Sequence, residues 1–282
     1  MKYMLLILAV FIIFIVTVMI YDVNRFVTVT YKLTSDKLKK PYRFVMLSDL
    51  HNKQFGRENE KLLAEIRRQK PDGILIAGDM ITARTGQDMQ PTLRFIQKLA
   101  GEYPVYYGEG NHEYRIGLYK ETYGKMQKEF LEGLAECNLA PMRNSHVSLE
   151  EFGIRIYGAT IERRFYQRFQ KCPMEAEYLP RLLGNPDKEY YTILLAHNPD
   201  YFPEYEAWGA DLTLSGHAHG GLMRLPLLGG VVSPAIRLFP KYDGGLFEGK
   251  CGRMILGRGL GTHTLPIRIF NPGELVVVEL NP

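Results

Sequence analysis

The chain has 282 residues, enough for one large domain or two small ones, and 46% of them are hydrophobic. Its net charge of +4 gives no indication of a nucleic-acid partner, and none is expected. Three widely spaced cysteines without a C-x-x-C pair indicate neither a disulfide framework nor a zinc ribbon. None of these quantities indicates an oligomeric state.

The first predicted element is an apolar helix near the N-terminus. The run from Tyr3 to Tyr21 contains no charged residue, and a helix that spans a bilayer needs about 17–25 residues. A signal peptide has a shorter apolar core, about 7–15 residues, and then a small-residue cleavage site. Here the run continues into Asp22-Val23-Asn24-Arg25. We therefore predict a transmembrane anchor over residues 1–21, with a cleaved signal peptide as the alternative.

Basic residues are placed unevenly around this run. Only Lys2 precedes it, whereas five follow it within a short distance: Arg25, Lys32, Lys37, Lys39 and Lys40. By the positive-inside rule, this bias predicts a single-pass protein of the cell membrane with its folded part in the cytoplasm. The alternative is that these residues only solvate a linker. We predict residues 22–41 as a juxtamembrane connector and residues 42–282 as one domain.

Short continuous apolar runs then predict buried strands. Five of them come first: Phe44–Leu47, Ile74–Ala77, Val105–Tyr107, Ile193–Ala196 and Leu212–Leu214. Later runs at 154–157, 254–256 and 275–278 predict a second, more antiparallel sheet packed on the first. Helical patterns lie between the early runs, including a longer helix over Leu118–Leu134 with Met126, Phe130 and Leu134 facing inward. The alternation predicts an α/β domain.

Each of the first five runs is followed by residues that bind metals. The motifs are Ser48-Asp49-Leu50-His51, Gly78-Asp79, Gly110-Asn111-His112-Glu113, His197-Asn198-Pro199 and Ser215-Gly216-His217-Ala218-His219. Each motif alone is typical of a turn. Because ligands of open α/β sheets bind beyond the carboxyl ends of the strands, the ordered set indicates one metal centre.

The ordered series D-x-H, G-D, G-N-H-E, H and G-H-x-H resembles the calcineurin-like metallophosphoesterase superfamily from about Phe44 onward. The later motifs resemble its small membrane-anchored bacterial branch, which includes twin-arginine-exported phosphoesterases and enzymes similar to UDP-2,3-diacylglucosamine pyrophosphohydrolase. These motifs are Gly220-Gly221, Leu225-Pro226-Leu227, Tyr242–Leu246, Gly257–Gly261 and Pro266-Ile267-Arg268. The chain departs from that branch at Leu222-Met223, where relatives often have Gln, and no twin-arginine pair precedes the apolar run.

The resemblance implies a four-layer sandwich of two mixed β-sheets flanked by helices, and two divalent metal ions per chain. One ion would take Asp49, His51 and His219, the other would take Asn111, His197 and His217, and Asp79 would bridge them. Oxygen and imidazole ligands suit Mn, Fe, Zn or Ni and do not choose among them.

The implied activity is hydrolysis of a phosphodiester, a pyrophosphate or a phosphomonoester by in-line attack of a metal-bridging hydroxide. His112 would be the catalytic residue that protonates the leaving oxygen or stabilises its charge. Glu113 would hold the His112 ring or pair with an arginine. The alternative function is a catalytically inactive scaffold or binding module at the membrane. Lost ligands would mark that alternative, and every ligand position here is filled. The lack of an H-E-x-x-H helix excludes a zinc metalloprotease.

The substrate is expected to be a phosphorylated small molecule or a lipid-linked one. The anchor and the apolar tract Leu222–Leu228 beside the last motif favour the lipid, unless the tract merely packs in the core. Four features stay open. Asn52 contacts phosphate or only shapes a turn, His263 lines the pocket or does not, His146 is expected to be structural, and residues 161–183 form a surface excursion or a substrate-facing cap.

Overall fold

A computed structural model of the protein describes residues 1–167, 171–225, 228–232, 238–262 and 266–282. Its first element is α1 (Lys2–Val23), a 22-residue apolar helix whose residues up to Phe14 are exposed. Among the described residues it is the one helix long and apolar enough to cross a membrane. A membrane anchor and a signal sequence both have such a helix, so the apolar prediction for this segment is confirmed at that level.

The described residues form thirteen strands and seven further helices, named in chain order. The strands are β1 (Phe26–Thr34), β2 (Tyr42–Leu47), β3 (Gly73–Ala77), β4 (Val105–Gly108), β5 (Ser145–Leu149), β6 (Ile154–Ala159), β7 (Tyr191–Ala196), β8 (Leu212–Ser215), β9 (Met223–Leu225), β10 (Gly229–Val232), β11 (Gly245–Glu248), β12 (Arg253–Leu256) and β13 (Gly273–Asn281). The helices are α2 (Glu60–Gln69), α3 (Gln90–Glu102), α4 (Asn111–Leu118), α5 (Lys120–Tyr123), α6 (Met126–Ala135), α7 (Tyr178–Leu183) and α8 (Phe202–Trp208).

The strands form two mixed sheets and a small hairpin. The first sheet has the order β1-β13-β2-β3-β4, and the second has the order β11-β12-β8-β7-β6-β5. In the first sheet β2, β3 and β4 are parallel, whereas β13 runs antiparallel to β2. In the second sheet β6, β7, β8 and β12 are parallel, with an antiparallel strand at each edge. Strands β9 and β10 pair only with each other among the named strands.

Apolar clusters between the elements hold them in four layers. The middle cluster joins the facing sides of the two sheets, with Phe44 and Met46 from the first and Ile193 and Leu214 from the second. An outer cluster packs α2, α3 and α6 on the first sheet, and another packs α7 and α8 on the second. Strands covered on both faces read as continuous apolar runs. All five residues of β3 are buried, for example. The predicted α/β four-layer sandwich is confirmed.

The predicted division of strands between the sheets was partly wrong. The run 275–278 lies in β13, which pairs with β1 and β2 in the first sheet. The runs 154–157 and 254–256 lie in the second sheet, but as parallel neighbours of β7 and β8 rather than in an antiparallel sheet. Strands β7 and β8 were predicted with the first sheet and belong to the second. A buried apolar run indicates a strand but does not indicate which strand it pairs with.

The predicted long helix over 118–134 is interrupted. Helix α4 ends at Leu118, α5 is a single turn, and α6 begins at Met126. Between the last two, Gly124 has φ of 57°, a left-handed conformation that breaks a helix and that glycine adopts without strain. The inward face was predicted correctly, because Met126, Phe130 and Leu134 are all buried.

The segment expected only as a connector supplies part of the folded domain. Residues 26–34 form β1, which pairs in parallel with β13 along nine residues. Leu33 and Leu38 are buried in the cluster between the sheets. Only Asn24 and Arg25 separate the end of α1 from the start of β1.

Replacing Leu33 by alanine tests whether β1 is an integral strand. Leu33 is 3% exposed, and deleting a buried leucine side chain costs about 2–5 kcal/mol. We expect Leu33→Ala to lower the free energy of unfolding of the detergent-solubilised protein by that amount, measured by urea titration. The matched control is Thr30→Ala, which lies on the same strand but is exposed. Equal midpoints for the two variants would show that the segment is a mere connector.

Candidate metal centre

The predicted metal-binding motifs lie where strands of the two sheets end. Asp49 follows β2 and Asp79 follows β3 in the first sheet, whereas His197 follows β7 and His217 follows β8 in the second. The two sheets meet at this edge, because Nδ1 of His197 lies 2.7 Å from the carbonyl oxygen of Ala77. Two groups of loops, one from each sheet, therefore face each other across the junction.

The side chains from these loops converge within a few ångströms. Nε2 of His197 lies 3.0 Å from Asp79 Oδ2 and 3.8 Å from Asp49 Oδ1. Nε2 of His219 lies 3.3 Å from Asp49 Oδ1 and 3.2 Å from Nε2 of His51. The rings of His197 and His217 are 5.3 Å apart between centroids. Asn111 begins α4 at the end of the β4 loop and is buried there. The structure thus brings the candidate ligands together, and their role as ligands stays a prediction.

Three sets of these atoms are close enough to bind one ion each. They are Asp49 with His51 and His219, Asp79 with His197 and His217, and His51 with Asp79 and His112. The first set matches one ion implied by the sequence, and the second set joins the shared Asp79 to His197 and His217 of the other ion. The role of Asn111 as a ligand stays a prediction. The third set includes His112, which the sequence assigns to catalysis.

The tautomers separate His112 from the ligands. Nδ1 of His197 donates to the Ala77 carbonyl, so in the neutral ring the lone pair is on Nε2, which faces both carboxylates. Nδ1 of His112 instead accepts the N–H of Ala83 at 2.8 Å. The proton of a neutral His112 therefore resides on Nε2, which lies 4.0 Å from Asp79 Oδ2. That ring offers a donor to the site rather than a lone pair, and it is unsuited to be a ligand through Nε2.

The backbone of the site is held in an unusual conformation. Five candidate ligands have positive φ: Asp49 (50°), His51 (48°), Asp79 (55°), His217 (70°) and His219 (52°). Only a few per cent of non-glycine residues have positive φ, and such strain concentrates at functional sites. Only Ala218 separates His217 from His219, and the tight turns let both imidazoles point into one site.

Two glycines leave room for the carboxylates. A methyl group on Gly216 would overlap Asp49 Oδ2, and one on Gly110 would overlap Asp79 Oδ1. Both positions therefore need the smallest residue, and the carboxylates occupy the space that a Cβ would fill. Asp49 Oδ2 and Asn111 Oδ1 are buried and have no hydrogen-bond partner within the described part of the chain. Buried oxygens of this kind are normally paired, and oxygen ligands of a cation would be. The donor set fits divalent metal ions.

The electrostatics of the site also favour positive charge. Burial raises the pKa of Asp49 to about 6, against the opposing effect of His197. Burial acts in the same direction on Asp79, but His197 and His112 outweigh it and hold the pKa of Asp79 well below its usual range. Burial lowers the pKa of His197, yet Asp79 and Asp49 raise it to about 10. Two carboxylates in a dry site draw protons or cations to themselves.

Glu113 has a different role from the one predicted. Neither the His112 ring nor an arginine is among its hydrogen-bond partners in the described residues. Its carboxylate instead accepts the N–H groups of Asp79, Met80, Ile81 and Gly110 at 2.8–3.3 Å, and also the hydroxyl of Tyr107 at 3.0 Å. Burial raises the pKa of Glu113 to about 8, while the backbone donors oppose that shift. Glu113 thus fixes the two loops that carry Asp79 and Asn111.

Sequence reasoning missed two residues that hold the remaining loops. The buried amide of Asn271 donates to the carbonyls of His219 and Gly221 at 2.8 and 2.7 Å. The buried Arg268 donates to the carbonyls of Arg258 and Gly259, and the neighbouring Gly261 N–H binds the carbonyl of Asp49 at 2.7 Å. Asn271 begins an Asn-Pro-Gly turn, so its sequence context indicates a turn and nothing about a metal site.

The open features have mixed outcomes. The side chain of Asn52 accepts the Thr82 N–H and donates to the Asp88 carbonyl, so its amide shapes a turn. The ring of His146 on β5 lies 4.9 Å from the ring of Tyr157 on β6, measured between centroids. His263 lies outside the described residues.

The segment 161–183 is an excursion with one residue at the site. Its short helical turn Arg163–Tyr166 buries Phe165 in the cluster on the second sheet. The Tyr166 ring lies 5.4 Å from the ring of His217. Whether this segment contacts a substrate stays a prediction, and residues 168–170 lie outside the described part.

Comparison with known proteins supports the same chemistry. The sequence profile of the calcineurin-like phosphoesterase family matches residues 42–221. A metallophosphoesterase of Campylobacter jejuni is 28% identical over 248 residues, which are 86% of this chain and 60% of that protein. The metallophosphoesterase YkuE of Bacillus subtilis is 29% identical over 261 residues, covering 85% of this chain and 79% of that one. The phosphodiesterase YaeI of Escherichia coli is 27% identical over 255 residues, covering 85% and 82%. The 60% coverage of the Campylobacter protein means that the chain spans less than two thirds of that relative.

Replacing Glu113 by glutamine tests its support of the loops. The amide has one acceptor oxygen and would present its NH₂ group to backbone donors, which leaves at least two buried N–H groups unpaired. Each costs about 1–3 kcal/mol, so we expect Glu113→Gln to lower the free energy of unfolding by about 3 kcal/mol. The purified variant should also retain less metal. Glu121→Gln, an exposed position on α5, should change neither quantity; similar results for both variants would contradict the assignment.

Replacing Gly216 by alanine tests the fit of Asp49. The added methyl group would displace the carboxylate without straining the backbone, since Gly216 has no positive φ. We expect Mn²⁺ affinity, measured by calorimetry, to fall about 10–100-fold, as is typical when the support of a ligand is lost. In Gly101→Ala the methyl group meets open space, so this control should bind normally. Unchanged Mn²⁺ affinity in Gly216→Ala would show that Asp49 is not a ligand of the metal centre.

Proposed function

The chain belongs to the calcineurin-like phosphoesterase family, and we propose that it hydrolyses a phosphoric ester at two divalent metal ions held by the loops described above. It is a hydrolase of phosphoric ester bonds, as its family and the phosphodiesterase among its relatives indicate. The finer proposal rests mainly on one observation. Two buried carboxylates and four imidazoles from both sheets form two sets, and the possible ligand atoms of each set lie within 4.8 Å of one another.

We assign one ion to Asp49, His51 and His219, and the other to Asn111, His197 and His217, with Asp79 shared. The convergence of these groups and the unpaired oxygens of Asp49 and Asn111 support this assignment. When bound, a pair of such ions polarises a phosphoryl group and lowers the pKa of water at the site. Nitrogen and oxygen ligands without thiolate suit Mn, Fe, Zn or Ni.

The protein's own residues orient the reaction. The Ala77 carbonyl fixes the ring of His197 with its Nε2 toward the carboxylates. The Ala83 N–H fixes the ring of His112 the other way, so that its Nε2–H points toward Asp79. This proton is placed to stabilise a phosphoryl oxygen or to pass to the leaving oxygen. We therefore propose His112 as the catalytic acid.

We further propose that α1 anchors the enzyme in the cell membrane, with the catalytic domain in the cytoplasm. The length of α1 and the basic residues after it support this orientation. Near the end of α1, Asp22 accepts the N–H of Asn271, whose side chain donates to the carbonyl of His219. Because the helix end is thus joined to a ligand loop, a lipid-linked phosphoric ester is the substrate we favour. The relation to a phosphodiesterase supports a diester.

The competing function is a catalytically inactive module of the same fold at the membrane. Its mark would be lost metal ligands. Every candidate ligand position is filled, and six of the seven are linked by contacts within the site. This makes the hydrolase the better supported function.

Two variants distinguish catalysis from metal binding. With Mn²⁺ and a bis-aryl phosphodiester, we expect Asp79→Ala to lose both metal and turnover. His112→Ala should keep its metal content but lose turnover about 10²–10⁴-fold, the usual contribution of a positioned acid. The measurements are metal analysis of the purified protein and initial rates. Wild-type protein that binds Mn²⁺ without turning over any of the three ester classes would favour the inactive module. Loss of metal in His112→Ala would make that residue a ligand.

A further inference from the structure

A surface beside the metal centre exposes large apolar side chains. Leu228 is 63% exposed, Leu238 70%, Phe239 60% and Phe270 42%. These residues lie on one continuous ribbon, because β9 pairs with β10, Leu238 bridges to Val232 at the end of β10, and Ile269 bridges to Met223 in β9. We call residues 222–225, 228–232, 238–239 and 269–270 the apolar ribbon. Clustered exposure of this kind marks an interaction surface.

The ribbon begins directly at the metal centre. It starts one residue after Gly221, which follows the candidate ligand His219. The side chain of Asn271, at the other end of the ribbon, donates to the carbonyls of both His219 and Gly221. Whatever the ribbon contacts therefore lies at the edge of the candidate active site.

The ribbon also lies along α1. The ring of Phe270 is 6.3 Å from the ring of Phe14 in that helix. The partly or fully buried residues of this half of α1 are Ile15, Val18, Met19, Asp22 and Val23, which recur at helical spacing and so form one helical face. The Asp22 carboxylate accepts the N–H of Asn271 at 3.0 Å. With a rise of 1.5 Å per residue, Phe14 lies about 12 Å along α1 from Asp22.

We propose that the apolar ribbon is a second membrane-contact surface, which enters the same bilayer that α1 spans. This inference rests on the membrane anchor proposed above. If α1 crosses the bilayer, a side chain beside Phe14 lies deeper in the bilayer than Asp22 near the C-terminal end of the helix. Interfacial apolar segments typically enter a bilayer by about 5–10 Å, a depth that the ribbon reaches through Phe270.

The polar groups around the helix end fit the headgroup region of the same bilayer. The guanidinium of Arg25 lies 4.6 Å from the ring of the exposed Tyr21, and aromatic residues collect at the membrane interface. Lys53, two residues after the candidate ligand His51, donates to the side chain of Asn24 at 2.8 Å. Basic groups here would attract anionic lipid. The bilayer then supplies a phosphoric ester at the level of the metal centre.

The bilayer is the occupant that the structure favours over a second copy of the chain. The ribbon is continuous with a helix whose residues Met4 to Phe14 are exposed apolar side chains. An apolar environment that covers those side chains would also cover the apolar ribbon beside them. A copy of the chain would have to cover the ribbon and leave the helix to another partner.

Tryptophan quenching in nanodiscs tests the proposal on the full-length protein. The chain has one tryptophan, Trp208, which is buried under the second sheet and gives a constant background. Leu228→Trp and Phe239→Trp each place a reporter on an exposed position of the ribbon. Phe11→Trp reports on the anchor. Lys188→Trp is the control, since it is exposed and precedes β7 at the end of the sheet away from the metal centre.

In nanodiscs of brominated phosphatidylcholine, we expect both ribbon reporters and Phe11→Trp to lose emission relative to unbrominated lipid. Lys188→Trp should keep the wild-type signal. Quenching of Phe11→Trp with neither ribbon reporter quenched would overturn the proposal while leaving the anchor intact. No quenching of Phe11→Trp would show that the anchor fails and the inference with it. Emission of the ribbon reporters that depends on protein concentration, but not on bromination, would assign the ribbon to self-association instead.

Turnover of a soluble bis-aryl phosphodiester by the same samples reports on the proposed function separately. We expect Phe239→Trp to keep the wild-type rate, because Phe239 is neither a candidate ligand nor part of the tract Leu222–Leu228. A quenched ribbon in a protein without turnover would uphold the membrane contact and refute the hydrolase.

Discussion

Two carboxylates buried in the same pocket are the constraint around which this molecule is arranged. Asp49 and Asp79 are 0% and 1% exposed, and one imidazole nitrogen of His197 lies within 3.8 Å of both. Like charges in a dry site are costly without a cation or protons beside them. The glycines that make room, the left-handed turns that aim the imidazoles and the backbone donors that Glu113 collects all hold these two groups in position. The rest of the fold brings the two halves of the pocket together.

Much of the fold could be predicted because parallel strands covered on both faces leave continuous apolar runs. The strands that carry Asp49, Asp79 and His197 were found in this way. Their pairing was not, since β13 comes from the far end of the chain to lie between β1 and β2. A local pattern records burial, whereas the choice of neighbour depends on residues more than 200 positions away. For the same reason the sequence of β1, a half-buried strand at a sheet edge, predicts only a connector.

The candidate site was predictable where the chemistry is in the side chain itself. Asp, Asn and His in short turns identify their own donor atoms. The supports of the site escaped prediction because they act on the backbone. Glu113 binds N–H groups and Asn271 binds carbonyl groups, and every residue has such groups. Nothing in the sequence distinguishes the ones that will lie within reach.

The junction between α1 and β1 determines how the catalytic domain can move. Two residues span at most about 7 Å when fully extended, and one of them, Arg25, is already paired with Asp22. The domain therefore has no slack with which to swing away from the helix. In a bilayer it would turn and drift with its anchor as one body. The domain would then meet a membrane-bound ester by diffusion of both in the plane of the bilayer. It would meet a dissolved ester only when that ester diffuses to the membrane surface.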